Sequence, residues 1–162
     1  MPLKIIEGSL FHSDCQTLVN TVNCEGVMGA GIAKEFKKRY PEMFTSYKRI
    51  CNRNLLTPGK LWLYKDTFIN ILCFPTKDKW RNKSEESYLE TGLQRFLDTY
   101  KEKGITSIAW PLLGASNGGI APERSLEIMT KYLSDLDIPV EIYIYRPSRD
   151  KKNELDSINR RL

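Results

Sequence analysis

Clustered metal ligands are scarce in this chain of 162 residues, which has one histidine and four cysteines that form no C-x-x-C pair. Because metal sites need closely spaced ligands, we expect no metal ion, and we interpret the cysteines as reduced, mostly buried thiols. No apolar run approaches the roughly 20 residues that span a bilayer, and the N-terminus lacks a signal-peptide pattern. We therefore expect a cytoplasmic protein with no membrane partner, and we expect it to be a monomer.

The positive charge of the chain is concentrated at its end. The formal net charge is +5, and from Arg146 onward six basic residues are set against three acidic ones. Residues 1–145 carry an excess of only +2, which is too small to demonstrate a polyanionic partner. We divide the chain into one domain, residues 1–146, and a polar, basic C-terminal tail, residues 147–162.

Patterns typical of strands and helices alternate along the chain. Alternating and β-branched stretches predict strands, whereas apolar residues at helical spacing predict helices, one of them between an N-cap at Ser84 and a stop at Gly104. The predicted strands cover residues 3–7, 17–22, 61–64, 68–74, 105–110 and 140–145, and the predicted helices 29–40, 42–52, 85–103 and 125–133. This order predicts an α/β domain with a mixed, largely parallel sheet and helices on both faces.

Two glycine-rich loops stand where a strand ends and a helix is about to begin. Residues 20–34 pass from a strand through two asparagines into a helix, and residues 111–120 have a similar arrangement. A helix N-terminus binds anions, and glycine lets the backbone approach a phosphate closely. The pair of loops therefore suggests a clamp for the two phosphates of a diphosphate. The alternative is that these glycines only shape tight turns.

The commoner phosphate motifs are absent from the first loop. Gly26 and Gly31 have the spacing of a P-loop, but Ile32 and Ala33 follow them in place of the required lysine and hydroxyl. The dinucleotide fingerprint G-x-G-x-x-G fails too, because Lys34 occupies its third glycine position. Neither motif explains the loop.

With these residues in view, the chain resembles a macro domain, the ADP-ribose-binding α/β/α module, from Leu3 to about Tyr145. The resemblance is carried by residues 19–23 and 26–33, Val-Asn-Thr-Val-Asn and Gly-Val-Met-Gly-Ala-Gly-Ile-Ala. Within that family it is similar to the branch that contains terminal ADP-ribose protein glycohydrolase and the bacterial DNA ADP-ribosyl glycohydrolase antitoxins. The resemblance implies a three-layer α/β/α fold, ADP-ribose as ligand and no cofactor.

The resemblance also implies roles for individual residues. Lys77 stands where this branch has its catalytic lysine, and Asn23 is expected to face the distal ribose beside the bond that breaks. The backbone of residues 29–32 is expected to hold one phosphate, and the backbone of residues 116–120 the other. A group on the last strand, near Tyr145, is expected to pack on adenine. The expected ADP-ribose contacts are Ser9, Leu10, Asn20, Gly29, Ala30, Gly31, Ile32, Pro111, Gly114, Ser116, Asn117, Gly118, Gly119, Ile120 and Tyr145.

Three positions depart from the family pattern. Ser9 replaces an aspartate that binds the adenine amine in many macro domains, which suggests looser selection of adenine. Gly118 stands where the protein-directed glycohydrolase has an aspartate, so the catalytic pair of that enzyme is not expected here. Ala121 and Pro122 replace an acidic-aromatic pair that usually follows the antitoxin loop.

Two chemical routes fit a lysine at the distal ribose. A neutral Lys77 amine could attack the anomeric carbon, directly or as the ring-opened aldehyde, or a charged Lys77 could stabilise the leaving group and orient the sugar. Trp80 among Lys79, Arg81 and Lys83 is compatible with single-stranded DNA, although a solvated loop with one packed tryptophan fits as well. We expect an ADP-ribosyl glycohydrolase that acts on ADP-ribosylated DNA in preference to protein. The alternatives are a non-catalytic ADP-ribose reader and a nucleotide- or RNA-binding domain of the same fold.

Overall fold

A computed structural model of the chain describes residues 3–146, which contain six strands and four α-helices. The predicted tail, residues 147–162, lies outside the described residues. One short 3₁₀ turn, Leu10–His12, follows the first strand. The strands are β1 (Leu3–Glu7), β2 (Thr17–Val22), β3 (Trp62–Lys65), β4 (Asn70–Pro75), β5 (Ile108–Pro111) and β6 (Val140–Ile144), and the helices are α1 (Gly31–Arg39), α2 (Pro41–Asn52), α3 (Glu86–Thr99) and α4 (Pro122–Leu133).

The six strands form one sheet in the order β1-β6-β5-β2-β4-β3. All neighbours are parallel except β3 and β4, which pair antiparallel, so the predicted mixed and largely parallel sheet is confirmed. β2 is central, between β5 and β4. Because parallel strands end at the same edge, the loops after β2, β4 and β5 emerge side by side.

The sheet separates two hydrophobic cores, which confirms the three-layer arrangement. Successive residues of a strand point to opposite faces, and Leu18 and Val19 of β2 accordingly belong to different cores, as do Ile71 and Leu72 of β4. One core holds side chains of α1 and α2, and the other holds those of α3 and α4. Their largest fully buried helix side chains are Phe36, Met43 and Tyr47 on the first side and Leu89, Leu93 and Phe96 on the second.

Helix α3 approaches β4 closely at Gly92. A Cβ built at Gly92 would overlap the Phe74 ring, with Cε1 only 2.8 Å away. Phe74 in turn packs edge-on against Trp110, with their centroids 5.9 Å apart. This contact fixes the strand whose end leads directly into Thr76 and Lys77.

Several element ends differ from the sequence prediction. The helix expected from Gly29 begins at Gly31, because Ala30 is still extended at φ −148° and ψ 161°. Ser84 is not the N-cap of α3: that position is Glu85, and the Ser84 hydroxyl has no partner among residues 3–146. Helix α3 ends at Thr99, and turns lead from there to Gly104, whose φ is +73°.

Candidate functional site

A cleft of about 740 Å³ opens at the carboxyl edge of the sheet, between the loops that follow β2 and β5. Pockets of roughly 300–1,000 Å³ are typical of small-molecule sites. The segment after β4 forms a third wall. The cleft is lined by Thr21, Val22, Asn23, Val27, Gly29, Ala30, Ile32, Ala33, Thr76, Lys77, Trp80, Arg81, Asn82, Lys83, Leu112, Gly114, Ala115, Ser116, Asn117 and Gly118.

The first loop is folded around the side chain of Asn23. Its Nδ2 donates to the Val27 carbonyl at 2.7 Å, while its Oδ1 accepts from the backbone N–H groups of Glu25 at 3.0 Å and Val27 at 3.3 Å. The Tyr47 hydroxyl donates from helix α2 to Asn23, whose carbonyl oxygen lies 2.7 Å away and whose Oδ1 lies 2.9 Å away. The carboxamide is therefore held in one orientation at the cleft wall.

Tyr47 is fully buried, and burial raises the pKa of its hydroxyl, so the group remains a donor at neutral pH. We predict that Tyr47→Phe lowers the free energy of unfolding by about 1–3 kcal/mol, since a buried acceptor loses its partner. Urea denaturation measures this change. The matched control is Tyr64→Phe, because the Tyr64 hydroxyl makes no hydrogen bond within residues 3–146. Equal stability of the two variants would contradict the anchoring role.

The Asn20 side chain contacts the first loop but does not line the cleft. It is fully buried on β2, and its Nδ2 lies 3.7 Å from the Met28 sulfur. Its Oδ1 has no partner among residues 3–146. Met28 is itself buried at 2% exposure, so this contact fixes the loop just before Gly29.

The second loop closes on itself and approaches the first. Ile120 N donates to the Gly114 carbonyl at 3.0 Å, and Gly114 has a φ of +69°, a conformation that favours glycine. A Cβ at Gly31 would lie 3.1 Å from Asn117 Nδ2, which shows how closely the two loops meet.

The segment after β4, residues 77–84, bridges the two glycine loops, and we call it the rim segment. Cys24 N donates to the Asp78 carbonyl at 2.9 Å, which ties its start to the first loop. Ser84 N donates to the Gly118 carbonyl at 2.9 Å, which ties its end to the second loop. Lys77 is half-buried in the cleft wall.

The Lys77 ammonium has a single hydrogen-bond partner in the described part of the chain. Its Nζ donates to the Trp80 carbonyl at 3.3 Å, within the rim segment itself. Trp80 N in turn donates to Glu25 Oε1 at 3.2 Å. The lysine head group is thus positioned by its own loop, close to the cleft and without a carboxylate partner within residues 3–146.

Cys24 lies beside this lysine, with its sulfur 3.6 Å from the Lys77 carbonyl. Burial, with smaller contributions from Asp78 and Cys51, raises the pKa of the Cys24 thiol to about 12. A thiol with that pKa is not ionised at neutral pH and is a poor nucleophile.

Residues 3–146 hold no group of three or more His, Cys, Asp or Glu side chains arranged for a metal ion. In the same range no helix has the length and apolarity needed to cross a membrane.

The structure brings nine of the expected site residues into the cleft and leaves eight outside it. Those lining the cleft are Asn23, Gly29, Ala30, Ile32, Lys77, Gly114, Ser116, Asn117 and Gly118. The eight outside the wall are Ser9, Leu10, Asn20, Gly31, Pro111, Gly119, Ile120 and Tyr145. Both glycine loops and the lysine therefore meet at one place.

The residues expected near adenine are spread over a neighbouring surface. Ser9 accepts a hydrogen bond from Phe11 N at 3.2 Å and so caps the short 3₁₀ turn, in which Leu10 is 3% exposed. Tyr145 is 58% exposed just beyond β6. None of these three side chains, Ser9, Leu10 and Tyr145, reaches the cleft wall.

Sequence reasoning missed three residues that shape the site. Thr76 lines the cleft directly before Lys77, and its place after a predicted strand was the available signal. Tyr47 is spaced four residues from Met43 and Cys51, which indicates a buried helix face but not a partner for its hydroxyl. Ser84 packs beneath Gly118 rather than at a helix cap.

The fold is thus a three-layer α/β/α domain whose cleft lies between two glycine loops at the carboxyl edge of its sheet. Residues 19–129 match the Macro domain family, and the chain belongs to that family.

Several curated relatives match most of the chain. It is 42% identical over 145 residues to the DNA ADP-ribosyl glycohydrolase of Mycobacterium tuberculosis, which covers 87% of this chain and 41% of that protein. It is 37% identical over 161 residues to a DNA ADP-ribosyl transferase-DNA ADP-ribosyl glycohydrolase fusion protein of Thermosipho africanus, covering 88% of this chain and 42% of that one. The chain thus spans about two fifths of the length of these curated relatives.

Solved structures of similar proteins have the same fold as this chain. The macrodomain of Mycobacterium tuberculosis DarG aligns with a TM-score of 0.81 at 41% identity, over 86% of this chain and 97% of that one. Thermosipho africanus DarTG in complex with ADP-ribose aligns with a TM-score of 0.84 at 38% identity, over 88% of this chain and 41% of that one.

Proposed function

We propose that this domain binds ADP-ribose in the cleft and removes it from ADP-ribosylated DNA. The observation that carries the proposal is the convergence of both glycine loops and Lys77 on one cleft. The names of the two relatives described above, a DNA ADP-ribosyl glycohydrolase and a fusion protein that includes one, support the reaction and the DNA substrate.

The start of α1 supports a phosphate site in the first loop. Its N-cap is Ala30, which makes no side-chain capping bond, and its first turn contains no acidic residue. The N–H groups of that turn are therefore available to an anion, and the helix dipole favours one there. The second phosphate would meet the backbone of residues 116–118 on the opposite wall.

Lys77 acts at the distal ribose in this proposal. The bond between the anomeric carbon and the base breaks, water supplies a hydroxyl to that carbon, and the remaining proton of the water goes to the released base. A charged lysine stabilises the departing base and orients the sugar. A neutral lysine adds to the anomeric carbon first, and water then releases it.

Asn23 has a positioning role beside the lysine. One Nδ2 hydrogen is used by the Val27 carbonyl, and the other is free to bind a hydroxyl of the distal ribose. Because Tyr47 and the loop backbone fix the amide, the ribose meets a preorganised donor rather than a mobile one.

The test is release of ADP-ribose from two substrates by the same preparation. We expect release from a single-stranded oligonucleotide that carries ADP-ribose on a base, and slower release from a glutamyl-ADP-ribosylated protein. Faster release from the protein would reverse the proposed substrate preference. Tight binding of ADP-ribose with no release from either substrate would identify a reader. Calorimetry that detects no ADP-ribose binding would overturn both the glycohydrolase and the reader.

A further inference from the structure

The rim segment combines an exposed aromatic ring with positive charge that has no ion-pair partner within residues 3–146. Trp80 is 48% exposed and belongs to neither hydrophobic core. The Arg81 guanidinium lies 5.0 Å from the centre of its ring. Neither Arg81 nor Lys83 forms an ion pair with an acidic side chain within residues 3–146. All three residues line the mouth of the cleft.

This surface is held at both ends, so it is presented in a defined geometry. The backbone of Trp80 is tied to Glu25 of the first loop at 3.2 Å, and Ser84 to Gly118 of the second at 2.9 Å. Asn82 N donates to the Lys79 carbonyl at 3.0 Å and forms a turn between these anchors. The segment needs little reordering to bind a ligand, which lowers the entropy cost of binding.

The stem of Lys83 extends this surface towards the second loop. A Cβ at Gly119 would lie 3.6 Å from Lys83 Cδ, so the aliphatic part of the lysine runs along that loop while its head group is exposed. Positive charge therefore continues from Arg81 to the far wall of the cleft. The segment itself contains Asp78, and Glu25, an acidic side chain of the first loop in contact with it, has one carboxylate oxygen engaged by Trp80 N.

We propose that Trp80, Arg81 and Lys83 hold the single DNA strand that carries the ADP-ribose, with an unpaired base stacked on Trp80 and backbone phosphates at the two cations. This inference rests on the proposed function and deepens it by assigning the surface that binds the leaving group. An exposed ring flanked by cations is the combination by which proteins hold single strands without reading sequence. A base within a duplex has both faces covered and cannot stack there, so a single strand is required.

The first experiment measures binding without turnover. In a Lys77→Ala background, the affinity for an ADP-ribosylated single-stranded oligonucleotide is compared with that for free ADP-ribose by fluorescence anisotropy and calorimetry. We expect the oligonucleotide to bind more tightly, and Trp80→Ala to reduce that ratio by about 5- to 150-fold, the range for removal of one stacked base. Trp80→Phe, which keeps a ring, should retain most of it.

The second experiment isolates the phosphate contacts. The logarithm of the affinity falls linearly with the logarithm of the salt concentration. For a single strand, each phosphate that the protein neutralises makes the slope of this line steeper by about 0.7. Arg81→Gln and Lys83→Gln are each expected to make this slope shallower by about that amount. Lys60→Gln is the matched control, because Lys60 is exposed and lies outside the cleft wall, and its slope should equal that of the parent.

The outcomes separate this inference from the proposed function. Hydrolysis of the modified oligonucleotide by the wild-type domain, with unchanged affinity ratios and salt slopes in the three variants, overturns the inference alone. Absence of hydrolysis together with the expected decreases in affinity supports the surface and overturns the proposed reaction. An equal decrease for an ADP-ribosylated peptide in Trp80→Ala overturns the assignment to DNA, since the ring would then contact ADP-ribose itself.

Discussion

Lys77→Ala is expected to slow release of ADP-ribose from a modified oligonucleotide by about 10²- to 10⁴-fold, the range for removal of one positioned catalytic group. Affinity for free ADP-ribose should change by less than about threefold, since removal of a half-buried side chain with one hydrogen bond disturbs little else. Single-turnover kinetics and calorimetry measure the two quantities. The combination separates a catalytic lysine from one that only contributes to binding.

A second substitution at the same position distinguishes the two chemical routes. Arginine keeps the positive charge but is not deprotonated in proteins, so it cannot act as a nucleophile. Lys77→Arg should therefore retain part of the rate if the role is electrostatic and should match Lys77→Ala if the amine attacks. Lys60→Ala, outside the cleft wall, is the control for removal of a lysine. Full hydrolysis by Lys77→Ala would remove the lysine from the mechanism altogether.

The fold was largely predictable because its elements have strong local signals. The β-branched run Thr17–Val22 predicted a central strand with the observed bounds, and Pro41 marked the junction of α1 and α2. Strand order was not predictable beyond its parallel character. The pairing of β5 with both β2 and β6 depends on contacts between segments that are distant in the sequence, for which a single chain carries no direct signal.

The site was predictable where function resides in the backbone and less so where it depends on side-chain direction. Glycines in the two loops indicated close approach of the chain, and the cleft lies between those loops. Asn20 shares a motif with Asn23 but is buried beneath Met28, since neighbouring motif residues need not face the same cavity. Tyr47 contacts Asn23 from helix α2, and no pattern in the sequence predicts that contact.

The misassigned N-cap has a similar cause. Ser84 suits a cap by residue type and by its place before two glutamates, which is a local criterion. In the folded chain its backbone N–H is bonded to the Gly118 carbonyl, so Ser84 is positioned by the second loop instead of by the helix. A tertiary contact thus determines the position of a residue that the local pattern assigned to α3.

Gly118→Ala is expected to weaken ADP-ribose binding by about 5- to 150-fold, because the second loop cannot keep its shape with a side chain there. The added Cβ would overlap Ser84 Oγ, and it would lie 2.5 Å from the Gly114 carbonyl oxygen of the same loop. Overpacking of this kind costs about 1–3 kcal/mol when neighbours shift. Here the shift moves the backbone of residues that line the cleft, and the proposed anion binding depends on the alignment of their N–H groups.

Two further variants locate the cause of this weakening. Ser84→Ala removes a hydroxyl that has no partner within residues 3–146, so its affinity for ADP-ribose should stay within about threefold of wild type. The double variant Ser84→Ala with Gly118→Ala should remain weak, because the overlap with the Gly114 carbonyl persists. Calorimetry gives the affinities, and thermal denaturation shows whether the domain still folds. Full recovery in the double variant would place the whole clash at Ser84 and contradict the argument from loop shape.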